Sequence, residues 1–193
     1  MNYYNKNYKA FIDETKNANM DNIYNLFIKY LPINTKKILD IGFGSARDML
    51  YFKSNGYDVY GIDSEVSFCD YAKRMGLDNV ECIKVQDIAY YHEFDAIWAC
   101  ASLLHVNKNE LNEVFKKCDN ALVNNGIMYC SFKYGDFEGI RNERYFIYLT
   151  EDSFTQYIKN TDFEILEIAI TNDVREERKD ERWLNVILKK VID

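Results

Sequence analysis

Between Lys37 and Phe132 the sequence alternates short apolar stretches with segments of helical period, and this rhythm restricts the fold more than any other feature. Lys37-Ile38-Leu39-Asp40-Ile41 reads as a buried strand, followed by a glycine-containing turn and a helix from Ala46 to Asn55. Tyr57–Asp63 reads as a second strand, and Ser64 is placed to cap the next helix, which runs to Met75. Val80–Val85, Phe94–Ala99 and Ile127–Phe132 read as the third, fourth and fifth strands. The clearest helix is Asn107–Leu122, with Asn107 as cap, Glu110 completing a capping box, and Leu111, Val114, Phe115, Cys118 and Leu122 on one apolar face. Strands separated by helices pair in parallel and are covered on both faces.

The last third breaks the rhythm. After a helix opened by Thr150, Phe163–Ile170 and Trp183–Lys189 both alternate like strands, with no helical segment between them. They predict an antiparallel hairpin, joined by a charged and therefore solvated loop over Asn172–Arg182. The expected architecture is α/β: a Rossmann-like, doubly wound, seven-stranded and mostly parallel sheet with a C-terminal antiparallel hairpin. Ahead of the sheet, Met20–Leu31 has helical spacing, and Tyr4, Tyr8, Phe11 and Thr15 share one face of a helix. Residues 1–31 thus read as an N-terminal helical cap, either a mobile lid or a helix packed permanently on the sheet. With 193 residues and no repeat or linker, 1–193 reads as one domain.

Charge narrows the partners. A net charge of −7 repels phosphate backbones, which disfavours nucleic acid as a partner. No apolar run approaches the roughly 20 residues of a membrane span, and the polar start Met1–Lys6 lacks a signal-peptide core. The five cysteines are scattered without a C-x-x-C pair, the pattern of reduced thiols in a cytoplasmic protein rather than of a metal site.

The chemistry-bearing residues lie at strand ends. Gly42 and Gly44, after the first strand, allow a sharp turn and close backbone approach to a ligand. Asp63 ends the second strand, where an acid accepts ribose hydroxyls; a shared cap with Ser64 is the plainer reading. A dinucleotide fingerprint needs a third glycine where Arg47 stands, and Arg47 instead offers a cation to a carboxylate. The spacing therefore indicates an amino-acid-bearing nucleoside rather than a pyrophosphate.

The order LDIGFGSARD, GIDS, Gln86-Asp87-Ile88 and FDAIWACASLLHV resembles the class I S-adenosylmethionine (SAM)-dependent methyltransferases, most of all their small tellurite-resistance-like group. The resemblance runs from Tyr4 to Lys190 and includes the terminal hairpin. It implies SAM as cofactor, and the net acidity favours a small molecule over a polynucleotide as acceptor. By that resemblance Asp40, Gly42 and Gly44 line the methionine and ribose side, and Arg47 or Asp48 meets the amino-acid end. Asp63, beside Ser64, takes the ribose hydroxyls; Asp87 with Ile88 faces the adenine amine; Cys100 and Ala101 flank the sulfonium; and Tyr4 and Thr15 belong to a covering N-terminal element. Phe43 and Ala46 depart from the family's small residue and third glycine.

His105, just beyond the fourth strand, is the candidate catalytic base, with Asp136 behind it; a packed histidine bonded to backbone is the competing reading. Lys133–Gly139 with Arg141 and Arg144 forms an expected wall for an anionic or planar acceptor, or a solvated loop. Two other classes stay open: a nicotinamide-dependent oxidoreductase, and a non-catalytic SAM-binding or partner subunit of the same fold.

Overall fold

The computed structural model describes residues 3–191, and side chains from Asn7 to Val191, so the Tyr4 side chain lies outside the described residues. Two helices, α1 (Tyr3–Thr15) and α2 (Asp21–Ile28), precede the alternating region. There β1 (Lys37–Ile41), α3 (Arg47–Ser54), β2 (Asp58–Ile62), α4 (Val66–Arg74), β3 (Val80–Glu81), β4 (Phe94–Ala99), α5 (Lys108–Ala121) and β5 (Leu122–Lys133) follow in turn. A small hairpin, β6 (Glu138–Arg141) and β7 (Arg144–Ile147), comes next, then α6 (Glu151–Ile158), β8 (Phe163–Asn172) and β9 (Arg182–Lys190).

The main sheet has seven strands in the order β3-β2-β1-β4-β5-β9-β8. Its first five strands are parallel, whereas β9 runs antiparallel to both β5 and β8. The reversal of strand order at β1 and β4 opens a crevice at the carboxyl ends of the strands, where ligands bind in sheets of this type.

Period-two alternation splits the core between two faces. Ile38, Ala96, Trp98, Ile127, Tyr129 and Ile187 pack with residues of α1–α4. Leu39, Ile97, Ala99, Met128, Cys130 and Val186 pack with α5 and α6. The first face is aromatic: Trp98 stacks on Tyr129 with ring centroids 4.2 Å apart and meets Phe27 and Phe52 at 5.2 Å.

Several local expectations are corrected. Ser64 does not cap α4; its hydroxyl donates to Glu65 Oε1, while Asp63 Oδ1 accepts the Glu65 backbone N–H, closing a turn around the acid instead. Asn107 does cap α5, through the N–H of Asn109, but Glu110 makes no capping box because its carboxylate accepts from Gln86 Nε2. The third strand is only two residues long, since the chain leaves the sheet before a short 3-10 turn at Val85–Asp87. The fifth strand starts earlier than Ile127: Asn124-Asn125-Gly126 lies within β5, where the pairing with β4 shifts register. The β6–β7 hairpin was not foreseen, nor was the order in Asn172–Arg182: Asp173 is buried there, taking Arg175 in a bidentate pair and the Trp183 indole N–H at 3.0 Å.

Candidate functional site

A cavity of about 520 Å³ follows the carboxyl edge of the sheet. Its walls come from the loops after β1, β2, β3 and β4, from α1, from the end of β5, from the β6–β7 hairpin and from the β8–β9 loop.

The loop after β1 turns through positive backbone angles at Gly42 (φ 72°) and Gly44 (φ 49°). A Cβ on Gly42 would lie 2.5 Å from Ser102 Cβ, and one on Gly44 would lie 2.9 Å from the Phe11 ring, so both positions exclude a side chain. Phe43 between them turns into the core, with 5% of its surface exposed. Gly61 of β2 makes the room, because a Cβ there would meet Phe43 Cδ1 at 2.8 Å and Met49 Sδ at 2.4 Å.

Asp63 holds this loop. Its Oδ2 accepts the Gly44 N–H at 3.0 Å and its Oδ1 the Glu65 N–H at 2.9 Å, and each oxygen keeps a lone pair for a further donor. Burial pushes its carboxyl up to about 6, against the opposing pull of those two N–H groups. Asp40 is 1% exposed, and its Oδ2 has no hydrogen-bond partner among the described residues. Burial, reinforced by Asp48 and Asp63, raises the Asp40 carboxyl well above the ordinary carboxylate range. Asp40 does not itself line the cavity; its neighbours Ile41 and Gly42 do.

Arg47 and Asp48 open α3. Asp48 takes four donors: Tyr24 Oη at 2.5 Å, Arg47 Nε at 2.7 Å, Arg47 Nη2 at 2.9 Å and Trp98 Nε1 at 2.9 Å. The carboxylate thus joins α2, α3 and β4, and protein donors occupy both of its oxygens. Arg47 Nη1 donates to the Thr15 carbonyl at 3.2 Å, which ties the end of α1 to the glycine turn. Thr15 and Phe11 both line the cavity, with Phe11 against Phe68 of α4 at 5.4 Å.

At β3 the wall is made by Ile83, Lys84, Val85 and Gln86. Asp87 is exposed and Ile88 is buried in the core, so neither lines the cavity. Beyond β4, Cys100 and Ala101 (φ 50°) do line it, and the Ala101 N–H donates to Ser131 Oγ at 2.8 Å. Burial pushes the Cys100 thiol up to about 12, so it stays protonated at neutral pH.

His105 ends a 3-10 turn, Leu103–His105, and faces the cavity. Its Nδ1 lies 2.8 Å from the Tyr145 carbonyl of β7, and its ring meets Phe146 edge-on at 4.6 Å. A carbonyl only accepts, so Nδ1 carries the proton and Nε2 the lone pair. Burial lowers the imidazole to about 4, with Arg144 and Lys133 adding positive charge nearby, so the ring is neutral at working pH. Asp136 is exposed and away from the cavity, and Arg141 stacks on Phe137 at 3.8 Å outside it.

Residues 39–130 match the family model described as a methyltransferase domain. Solved structures resemble the chain over most of its length. A SAM-dependent methyltransferase from Methanosarcina mazei is 18% identical, with a TM-score of 0.75 over 86% of this chain and 97% of that one. The 1,6-didemethyltoxoflavin-N1-methyltransferase of Burkholderia thailandensis, solved with S-adenosylhomocysteine, is 18% identical, with a TM-score of 0.78 over 98% and 84%. The fold is the class I methyltransferase fold. The 4+2 cyclase SpnF shares it at 15% identity and a TM-score of 0.70, covering 90% of this chain and 81% of that one. No curated protein matches the sequence.

Within this methyltransferase fold, sequence reasoning placed the glycine loop, Asp63, Cys100, Ala101 and His105 on the cavity. It missed Glu65, Ser102 and the order within the β8–β9 loop. The loop's signal was present but obscured, because the charges that suggested solvation are partly paired with one another around Asp173.

Proposed function

We propose that the chain is a SAM-dependent methyltransferase acting on a small molecule. SAM is the cofactor. The observation that carries this reading is the charge of the cavity's glycine-loop half. Asp48 and Asp63 line that half, with Asp40 buried behind them within electrostatic reach, and Arg47 is the guanidinium among them. Such a site favours a cationic ligand. It also repels a diphosphate: Asp48 already occupies the N-terminal turn of α3, where a dinucleotide would place its pyrophosphate. That weighs against the nicotinamide oxidoreductase.

Asp63 would hold the ribose hydroxyls, and Val85 and Gln86 would flank the base. Gly42 and Gly44 would allow close backbone approach, with Arg47 toward the amino-acid end. When bound, SAM supplies an electrophilic methyl group, so the protein mainly positions and desolvates. Cys100, held as a thiol, does not compete as nucleophile. His105 orients the acceptor, and its Nε2 accepts the acceptor's proton where one must leave. Within the class, the motif order keeps the small tellurite-resistance-like group as the proposed subfamily. The cytoplasm fits five free thiols, and among the described residues no helix is long and apolar enough to cross a membrane.

Calorimetry with SAM, S-adenosylhomocysteine and NAD tests the reading. Binding of the first two and not the third is expected. NAD binding, or no binding of any of the three, would sink it. Methyl transfer to a small acceptor then separates an enzyme from a silent binder, which matters because the fold also occurs in a cyclase.

A further inference from the structure

The strand order divides the cavity into two electrostatic halves. The loops after β1 and β2 bring Asp48, Asp63 and Glu65 to one side, where Arg47 pairs with Asp48 and Lys84 of the β3 loop is the other cation. On the other side of β4, the end of β5, the β6–β7 hairpin and the β8–β9 loop bring Lys133, Arg144, Arg175 and Arg178. Arg175 is paired with Asp173 and Lys133 with Glu181. Arg178 is half-buried, lines the cavity, and its guanidinium has no ion pair among the described residues. Arg144 lies over the Phe146 ring at 5.0 Å. Glu143 is the opposing carboxylate on the same hairpin. In a chain of net charge −7 this half is a local excess of positive charge. The same charge makes a proton on His105 less welcome. The same half of the cavity wall carries three aromatic side chains, Tyr145, Phe146 and Trp183.

We propose that the methyl acceptor is a small aromatic acid, its carboxylate taken by Arg178 with Arg144 adding positive charge nearby, and its ring laid among Tyr145, Phe146 and Trp183, with His105 beside the methylated atom. A guanidinium fork matches a carboxylate in plane and number of donors, and an aromatic wall selects a flat body. A cationic or strongly basic acceptor is rejected by the same charges. This rests on the methyltransferase reading, because the negative half must be filled by the cofactor for the positive half to be the acceptor's. The rival occupant of Arg178 is the cofactor's own carboxylate.

The test uses the full chain saturated with S-adenosylhomocysteine and a panel of aromatic acids, each paired with its methyl ester, such as 4-hydroxybenzoate and indole-3-acetate. Affinities come from calorimetry or saturation-transfer NMR. The acid of a pair should bind about tenfold tighter than its ester. Arg178→Gln and Arg144→Gln should each narrow that gap, and Arg178→Glu should reverse it, while affinity for S-adenosylhomocysteine stays within about twofold. Arg178 sits in a loop outside the core, so thermal melting should be unchanged and serves as the folding control. Esters binding as well as acids, no acid binding at millimolar concentration, or an acid preference surviving in every variant would each overturn the proposal. So would loss of S-adenosylhomocysteine affinity in folded Arg178→Gln, which would assign the guanidinium to the cofactor. If the wild-type protein binds neither SAM nor S-adenosylhomocysteine, the methyltransferase reading itself falls, and this inference with it.

Discussion

The backbone N–H of Gly44 donates to Oδ2 of Asp63 at 3.0 Å, so the turn after β1 and the acid after β2 form one unit across adjacent parallel strands. Neither residue holds its place alone. Gly44 needs a positive φ, and Asp63 needs an N–H donor to remain a carboxylate when buried. Asp63→Ala should therefore weaken S-adenosylhomocysteine binding by about tenfold or more, since it removes charge-assisted bonds to the ligand and slackens the glycine loop. Calorimetry on the folded variant measures this, and an unchanged dissociation constant would separate Asp63 from the ligand.

Acid should act on the same group in two opposed directions. The Asp63 carboxyl is raised to about 6 in the fold from an ordinary 3.8. Protonation therefore favours the folded chain: Asp63's stabilising share is complete below about 3.8 and is lost as pH rises through about 6. Ligand affinity follows the opposite course, because only the carboxylate accepts two hydroxyls. The apparent dissociation constant for S-adenosylhomocysteine should be level above pH 7 and rise as pH falls below about 6. Asp63→Asn, which does not titrate, should remove that slope. A wild-type profile flat down to pH 5 would contradict the assignment.

Gly61 supplies a prediction that separates stability from the ligand-facing glycines. An added Cβ would meet Met49 Sδ at 2.4 Å and Phe43 Cδ1 at 2.8 Å, inside the core rather than at the ligand. Gly61→Ala should cost about 1–3 kcal/mol by overpacking, seen as a lower midpoint in denaturant. It should also weaken S-adenosylhomocysteine binding, because Phe43 must move and carries the loop with it. Gly42→Val and Gly44→Val should abolish binding outright.

The parts of the fold readable from sequence are those set by local period. Strands at Lys37–Ile41 and Phe94–Ala99, the helix after Asn107 and the terminal hairpin follow from apolar spacing alone, because their side chains face a core on fixed sides. What stayed hidden depends on partners distant in sequence. Phe43 seemed a misfit in the glycine turn until Gly61, eighteen positions on, showed the space it fills. Asp48 looked like a ligand group, but Tyr24 and Trp98 converge on it from other elements. Asp87 looked like the acid after the third strand, yet that strand stops at Glu81 and turns Asp87 outward. The β8–β9 loop was read as solvated because charge was counted without its pairing.

The N-terminal helix offers a prediction on motion. Phe11 lies against Gly44, and the Thr15 carbonyl takes Arg47 Nη1 at 3.2 Å, so α1 closes one side of the cavity. If α1 is a lid, hydrogen exchange across Tyr8–Thr15 should slow when S-adenosylhomocysteine is added, and Phe11→Ala should weaken binding without lowering the melting temperature. Equal protection with and without ligand would make α1 a fixed part of the core.

His105 joins the cavity to the β6–β7 hairpin, and its two nitrogens do different work. Nδ1–H donates to the Tyr145 carbonyl, which fixes the ring and leaves Nε2 as the basic atom. The ring titrates near 4 against an ordinary 6.5, so it is neutral across the physiological range and rate profiles should show no histidine step between pH 5 and 8. The folded chain binds that proton less well than the unfolded one. Its share of stability is therefore intact above about 6.5 and is lost as pH falls through about 4. His105→Asn keeps a donor for Tyr145 but loses the base: stability between pH 6.5 and 4 should become less acid-sensitive, S-adenosylhomocysteine affinity should hold, and kcat should fall by about 10²–10⁴ for an acceptor that must lose a proton. With an acceptor already ionised, the loss should appear in KM instead, since His105 then only positions it. His105→Ala should in addition speed hydrogen exchange over Glu138–Ile147, because the tether to Tyr145 is gone. Unchanged kcat and KM with a loosened hairpin would make His105 a structural pin and nothing more.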